Sequence, residues 1–419
     1  MSSKNISPLL TAKLRWPTTF AALRHRNYRL WFFGQMVSLI GTWMQSVAQG
    51  WVVYMLTGSE LALGTISFFG SLPTLFLMLP AGALADRVPR RSILLIAQTM
   101  MTVQAFALAA LAATGTLRVW HIGLLAFGLG IANSFDAPAR QALAVDMVED
   151  RRDLMNAIAL NSTMFNMARI VGPAVGGVIL ATLGSTWCFT LNGFSFLAVL
   201  AALLLMRMPD VQAASQSEPL AAQIKAGLSY ILRNVPVRTM IALIGVASLF
   251  GFSYSTLLPA YAADVLHVGE TGLGTLNAAT GVGALIGSLV VAFLVSYRRK
   301  GMLLTAGSLL FPAMLLVFTA SRSYLFSLAC LVVIGLAFVM QNATINTLIQ
   351  SLVPDSLRGR VMAVFALAFF GTTPFAALQA GALAQALGVT AGVAIGAALT
   401  LAFALGVFLL VPSLRRLEG

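Results

Sequence analysis

Three ionisable side chains stand inside otherwise uncharged stretches of this sequence: Asp136, Arg140 and Arg169. The adjoining runs 119–135 and 170–206 hold no Asp, Glu, Lys or Arg, and an ionisable group in such surroundings is costly and functional by default. Asp136 and Arg140 are four residues apart, so on a helix they can pair across one turn. Arg169 lies near the middle of the following run and can meet Asp136 from a neighbouring antiparallel helix. Three chemistries are open. Asp136 can bind and release a coupling proton, with Arg169 tuning it through charge proximity. The charges can instead form a permanent ion pair that ties two helices together, or Arg169 can receive an anionic substrate. Nothing else in the chain suggests catalysis. His25, His121 and His267 are scattered, and Cys188 and Cys330 stand singly in apolar runs. There is no Gly-Lys-Ser/Thr phosphate loop and no Ser-His-Asp set. No metal, no cofactor, no ATP use and no enzymatic activity are therefore expected.

The elements that must position these charges follow from composition. Of 419 residues, 59% are apolar and 9% charged, against roughly 25% charged in a soluble domain. So few charges cannot cover a water-facing surface, and the solvent must be lipid. A helix needs about 20 apolar residues to cross the hydrocarbon core, and helices rather than open strands satisfy their own backbone there. Apolar runs predict twelve spans starting near residues 30, 63, 92, 119, 154, 186, 239, 271, 301, 324, 359 and 389. Only span 4 and span 5 contain charges in this reading; the second half has none in its spans. The formal net charge of +13 is explained by position, because only Arg118 and Arg322 of the 26 Lys and Arg fall on the face opposite the termini, with Arg169 inside a span. The positive-inside rule then places both termini in the cytoplasm of a multi-pass bacterial inner-membrane protein, with no nucleic-acid partner. Residues 1–28 lack the apolar core of a cleaved signal peptide.

Residues 207–238 form the longest polar interruption and divide the chain into a six-span N-terminal bundle (1–206) and a six-span C-terminal bundle (239–419). Within that linker, Leu220, Ile224, Leu228 and Leu232 recur every four residues, which predicts an amphipathic helix at the cytoplasmic surface. The halves echo each other. Val148 to Ala157 and Val353 to Ala363 each place an acidic residue and two arginines in a short turn before a new helix, and Asn133 and Asn342 precede those turns at similar distances.

Two motifs carry a resemblance. Gly82-Ala-Leu84-Ala-Asp86-Arg87-Val-Pro89-Arg90-Arg91 lies between spans 2 and 3, and Gly172-Pro173-Ala-Val-Gly176-Gly177 lies in span 5. The first closely resembles the signature loop of the major facilitator superfamily, with Pro89 standing where that family usually has glycine. The second is similar to the fifth-helix motif of the superfamily's drug and metabolite antiporters. Arg26 to Trp31, Gly41 to Gln45, Asp136 to Gln141 and Asn156 to Asn161 resemble the branch of enterobactin-type siderophore exporters and multidrug efflux pumps. The resemblance implies an all-α major facilitator fold of twelve transmembrane helices in two six-helix bundles. It also implies a conformational latch at Gly82, Asp86, Arg87, Arg90 and Arg91, in which Gly82 permits close helix approach. Gly172, Pro173, Gly176 and Gly177 are expected to bend span 5 and let it pack tightly, against a span-8 face bearing Gly274, Gly281, Gly283 and Gly287.

A central cavity is expected from amides and aromatics: Gln35, Trp43, Gln45 and Gln49 in span 1, Asn161 and Asn166 in span 5, Tyr254 in span 7, and Gln341, Asn342 and Asn346 in span 10. Interhelical hydrogen bonding is the other role open to each. The expected function is secondary active export of a small amphiphilic molecule such as a siderophore or drug, by alternating access in exchange for protons. The alternatives are a lysophospholipid or lipid transporter and a facilitated uptake carrier. The expected partners are the small-molecule substrate, protons and the lipid bilayer, with a monomer as the working unit.

Overall fold

The computed structural model describes residues 18–85, 87–148, 151–206, 220–294 and 297–418. Among the described residues the regular structure is all helical. After a short turn of helix at Thr18–Arg24 come α1 (Arg26–Thr57), α2 (Glu60–Ala85), α3 (Arg90–Ala113), α4 (Val119–Asp146), α5 (Leu154–Leu183) and α6 (Ser185–Leu205). Then follow α7 (Leu220–Arg233), α8 (Val235–Val246), α9 (Tyr254–Ala260), α10 (Gly269–Phe293), α11 (Lys300–Ala320) and α12 (Tyr324–Leu352). The last three are α13 (Asp355–Phe370), α14 (Thr373–Leu387) and α15 (Val389–Leu410). Eleven spans among the described residues are long and apolar enough to cross a membrane. Two of them are compound: α8 and α9 belong to one span ending at Val265, and α13 and α14 to another. At 32 residues α1 is as long as the others, but Gln35, Ser38, Thr42, Gln45, Ser46 and Gln49 make it too polar to count among them.

Both compound spans depart from the simple helices expected. Pro374 lies at the start of α14 and cannot donate its missing amide to the preceding turn, so the eleventh span breaks at Gly371-Thr372. The seventh carries two π turns, Ala247–Gly251 and Tyr261–Val265. The second of these includes Asp264, which corrects the expectation that no charge enters a span of the second half. The amphipathic helix predicted in the linker is α7, but Leu228 and Leu232 of its apolar stripe are exposed. Ile231 is buried instead, and Gly227 abuts the backbone of Arg360 at the start of α13. Contact with α13 takes the Ile231 side of the helix and leaves Leu228 and Leu232 exposed, the side an interfacial helix would turn to lipid.

Helices α1–α6 pack mainly among themselves, α1 on α5 and α6, α2 on α4, and α3 on α4 and α6. Helices α10, α11, α12, α14 and α15 do likewise, and the two sets meet chiefly where α5 crosses α10 and α2 crosses α14. The antiparallel course leaves the start of α1 and the end of α15 on one face, here called the terminal face, and the loops near Gly58, Leu183, His267 and Gly388 on the opposite, distal face. At the terminal face the segment Thr18–Arg24 is tied to the start of α5. The Ala22 amide donates to Asn156 Oδ1 at 2.9 Å, and the Tyr28 hydroxyl donates to the Ala157 carbonyl at 2.8 Å. Arg24 Nε and His25 Nε2 both lie against Asp153 Oδ2, at 2.8 and 2.9 Å. Two of the segments on which the family resemblance rests, Arg26 to Trp31 and Asn156 to Asn161, thus meet in space.

Burial acts to raise the Asp153 pKa, but the His25 and Arg24 hydrogen bonds outweigh it and hold the carboxyl below its ordinary 3.8. Asp153 therefore contributes stability above that value and loses it as pH falls through its lower folded value. Asp153→Asn is expected to lower the melting temperature near neutral pH by about 1–3 °C. The gap from wild type should close on acidification, as followed by thermal unfolding across a pH series.

Candidate functional site

A cavity of about 270 Å³ lies on the seam between the two helix sets. From α1 it receives Trp43, Ser46 and Gly50, from α2 Ser67, and from α5 Arg169 and Pro173. Across the seam it receives Phe252, Tyr254 and Pro259 from the seventh span and Asn277 and Thr280 from α10. Arg169 is half-buried, and its guanidinium carbon sits 5.9 Å from the centre of the Trp43 ring, within cation–π range. Tyr254 is buried at 3% exposure and lies within electrostatic reach of Arg169.

The Gly-Pro-x-x-Gly-Gly segment explains why a cavity can sit here. A Cβ on Gly172 would strike Trp43 and the Ile40 carbonyl, and one on Gly176 would strike Met44, so both glycines let α5 lie against α1. Gly177 faces the other way: its Cβ would fall 2.8 Å from the Glu270 carbonyl and 2.9 Å from Gly274 Cα. Of the four α10 glycines expected to serve this contact, Gly274 and Gly281 do so, whereas Gly283 and Gly287 lie against Val332 and Leu336 of α12. A second close approach, Gly64 of α2 on Ala377 and Gly381 of α14, joins the sets near the distal face.

Side chains reinforce the distal closure. Trp51 Nε1 donates to Glu270 Oε1 at 3.1 Å, the Tyr54 hydroxyl donates to Asp264 Oδ2, and Ser59 Oγ donates to Gln385 Oε1 at 2.7 Å. All three bonds cross from α1–α6 to the later helices. Sequence reading missed them because Asp264 and Glu270 look like ordinary loop acids beside a turn.

Asp136 is 3% exposed and belongs to α4. It accepts a hydrogen bond from Gln98 Nε2 at 2.8 Å and lies 3.2 Å from Arg140 Nε. The Arg140 contact is ionic rather than an aligned hydrogen bond, since Nε lacks a hydrogen-bond partner. Of the two pairings open to Asp136, the structure shows that with Arg140; Arg169 is not within ion-pair distance and points its charge to the cavity. A single helical turn was enough to satisfy the carboxylate locally.

Only Trp43 and Tyr254 of the ten expected cavity residues line it. Gln45 is instead the centre of a buried network within α1–α6. Its Nε2 donates to Gln104 Oε1 at 3.0 Å, and its Oε1 accepts from Asn192 Nδ2 at 2.8 Å. Asn166 donates to the Ser162 carbonyl of its own helix at 2.9 Å, and Asn346 accepts from Gln350 at 2.5 Å. Gln35, Asn161 and Gln341 each hold a buried carbonyl oxygen without a partner, while Gln49 and Asn342 are half-buried. None of these lines the cavity. The side chains missed, Ser46, Ser67, Asn277 and Thr280, are single small polar residues. Their one signal was spacing: Ser46 follows Trp43 by three positions, and Asn277 precedes Thr280 by three.

In the expected latch, Asp86 lies outside the described residues. Arg87 is exposed, Arg90 pairs with Asp146 at the end of α4, and Arg91 donates to the Leu203 and Leu204 carbonyls at 2.8 and 3.1 Å. Arg91 thereby places a cation on the C-terminal end of α6, where the helix dipole favours it. Gly82 corrects the expectation of a close helix approach, because nothing lies within 4 Å of a Cβ built there.

The transmembrane secretion effector family model matches residues 17–418. The chain belongs to this family, within the major facilitator superfamily. Among its relatives is the multidrug efflux pump Tap of Mycolicibacterium fortuitum, 28% identical and covering 92% of this chain and 96% of that protein. The enterobactin exporter EntS of Citrobacter koseri is 28% identical, with 83% and 82% covered. The staphyloferrin A transporter of Staphylococcus aureus is 26% identical, with 80% and 84% covered. The fold is shared with an inward-facing bacterial homologue of the iron transporter ferroportin, at TM-score 0.71 and 16% identity over 93% of this chain and 98% of that one. It is shared also with a point mutant of a peptide transporter of the POT type, at TM-score 0.73 and 14% identity over 94% and 95%. The family and fold make the protein a multi-pass membrane transporter.

The seam yields a paired prediction. Gly177→Val must push α10 away and is expected to lower the melting temperature by several degrees, whereas Gly82→Ala, with open space around it, should leave it unchanged. Thermal unfolding of both variants in one detergent checks the contrast.

Proposed function

We propose that the protein is a secondary active exporter of small amphiphilic molecules, working by alternating access and exchanging its cargo for protons. In this reading α1 is the first of twelve spans, six on either side of a 207–238 linker, in the bacterial inner membrane with both termini cytoplasmic and a monomer as the working unit. The observation that carries it is the position of the cavity. It is shared by two helix sets whose close backbone contacts, among the described residues, run from the distal face to mid-helix. Its distal closure combines these small-residue contacts and a few hydrogen bonds with an apolar cluster in which Trp51 and Leu63 join Leu257 and Leu273, and side-chain contacts of this kind can part as two helix sets move against each other. The direction of transport is supported by the relatives named as exporter and efflux pump and by the fifth-helix motif.

Asp136 is the proposed proton-coupling residue. It is buried with one cation and one amide, and adding a proton would cancel the charge that holds Arg140. Arg90, Arg91 and Arg87, with Asp86, are the proposed latch at the terminal face.

In inside-out vesicles, dye or siderophore is expected to accumulate when a proton gradient is imposed and to leak away when an uncoupler collapses it. Asp136→Asn should transport with its pH dependence lost. Cargo movement indifferent to the gradient would remove proton exchange from the proposal, and an Asp136→Asn protein with an unaltered pH profile would move the coupling site elsewhere.

A further inference from the structure

Arg169 is a cation inside a membrane span, and no carboxylate among the described residues is set against it. The other carboxylates among the described residues are committed elsewhere. Asp136 is held by Arg140 and Gln98, Asp146 by Arg90 and Asp153 by Arg24. Asp355 is held by Arg358 and Glu418 by Arg298. The two nearest the seam, Asp264 and Glu270, accept from Tyr54 and Trp51, and Glu60 lies in the first turn of α2, at the distal face. The cavity lining itself contains no acid, and Arg169 is its one charged residue. A cation so placed keeps an unmet demand for negative charge in a medium that screens it poorly.

We infer that the cargo is an organic anion bearing a flat unsaturated group, and that Arg169 is the residue that selects its charge. The guanidinium offers a planar fork suited to a carboxylate or similar oxyanion. Trp43 presents an aromatic face beside it, and Tyr254, Asn277 and Ser67 bring further hydrogen-bond donors to the same space. An ammonium cargo would meet Arg169 with no acid to offset the repulsion. This assignment deepens the exporter reading, and it names a class of cargo that neither the fold nor the family fixes.

Binding without any gradient tests it separately from transport. The full-length protein in neutral phosphatidylcholine nanodiscs is titrated with three probes of one shape: 2-naphthoate, neutral 2-naphthamide and 2-naphthylmethylammonium. Wild type is expected to bind the carboxylate about tenfold tighter than the amide and to exclude the ammonium. Arg169→Gln should abolish that preference by weakening naphthoate binding far more than amide binding, and Arg169→Lys should keep part of it. Naphthoate should also raise the melting temperature of wild type but not of Arg169→Gln. Equal affinity for the three probes on wild type overturns the inference whether or not any variant folds, as does a preference that survives Arg169→Gln. Loss of naphthoate binding when phosphatidylglycerol is added to the disc would identify a lipid headgroup as the occupant and overturn it too. If naphthoate binds as expected but vesicles move no cargo, the exporter reading fails and the anion site stands. If vesicles export only neutral or cationic cargo, the reverse holds.

Discussion

Backbone meets backbone at two crossings between the helix sets, Gly177 on Gly274 and Gly64 on Gly381, and the rest of the architecture depends on this closeness. Lipid tails are as apolar as leucine, so burying leucines between spans gains little in a membrane. Association rests on close packing and on hydrogen bonds made where little water competes. Small residues supply the packing by letting two helices approach with nothing between them. The cross-seam bonds of Trp51, Tyr54 and Ser59 then find their partners in range.

That same economy of contact shapes the cavity. Gly172 and Gly176 draw α5 onto α1, which brings Arg169 beside Trp43, while Gly177 draws α5 onto α10, which brings Asn277 and Thr280 around the same space. One motif therefore sets both walls. The polar groups that hold each set together are segregated from it: the Gln45–Gln104–Asn192 network and the Asp136–Gln98–Arg140 cluster lie wholly within α1–α6. Bonds inside a set can be permanent. Among the described residues, the bonds of Trp51, Tyr54 and Ser59 cross the seam near the distal face, where breaking them would free one end of the molecule.

The terminal face is organised on a different principle. Arg90, Arg91 and Arg24 bind to acids or to helix-end carbonyls of α1–α6 itself, so in this structure these three arginines brace one helix set. The signature loop carries its arginines to the ends of α4 and α6, and an Asp153 brace fixes the N-terminal segment on α5. Charge here does what glycine does at the seam, in a region where water makes charge inexpensive.

The sequence by itself determined the solvent, the helical class, the family and the three intramembrane charges of the first half, because each rests on local chemistry. Low charge density demands lipid, lipid demands helices, and Asp136, Arg140 and Arg169 stand out against apolar runs. It also made Gly172 to Gly177 legible as a packing surface. Tertiary structure alone decided which partner each group found. Asp136 turned to Arg140 one helical turn away, Gln45 turned inward to Asn192, and Arg169 was left to the cavity. The acids that close the distal seam, Asp264 and Glu270, had no local signature at all. Their partners lie more than two hundred residues away in the chain, and a pairing across that separation is fixed by where two helices cross. Periodicity tells which residues share a face, but not what that face will meet.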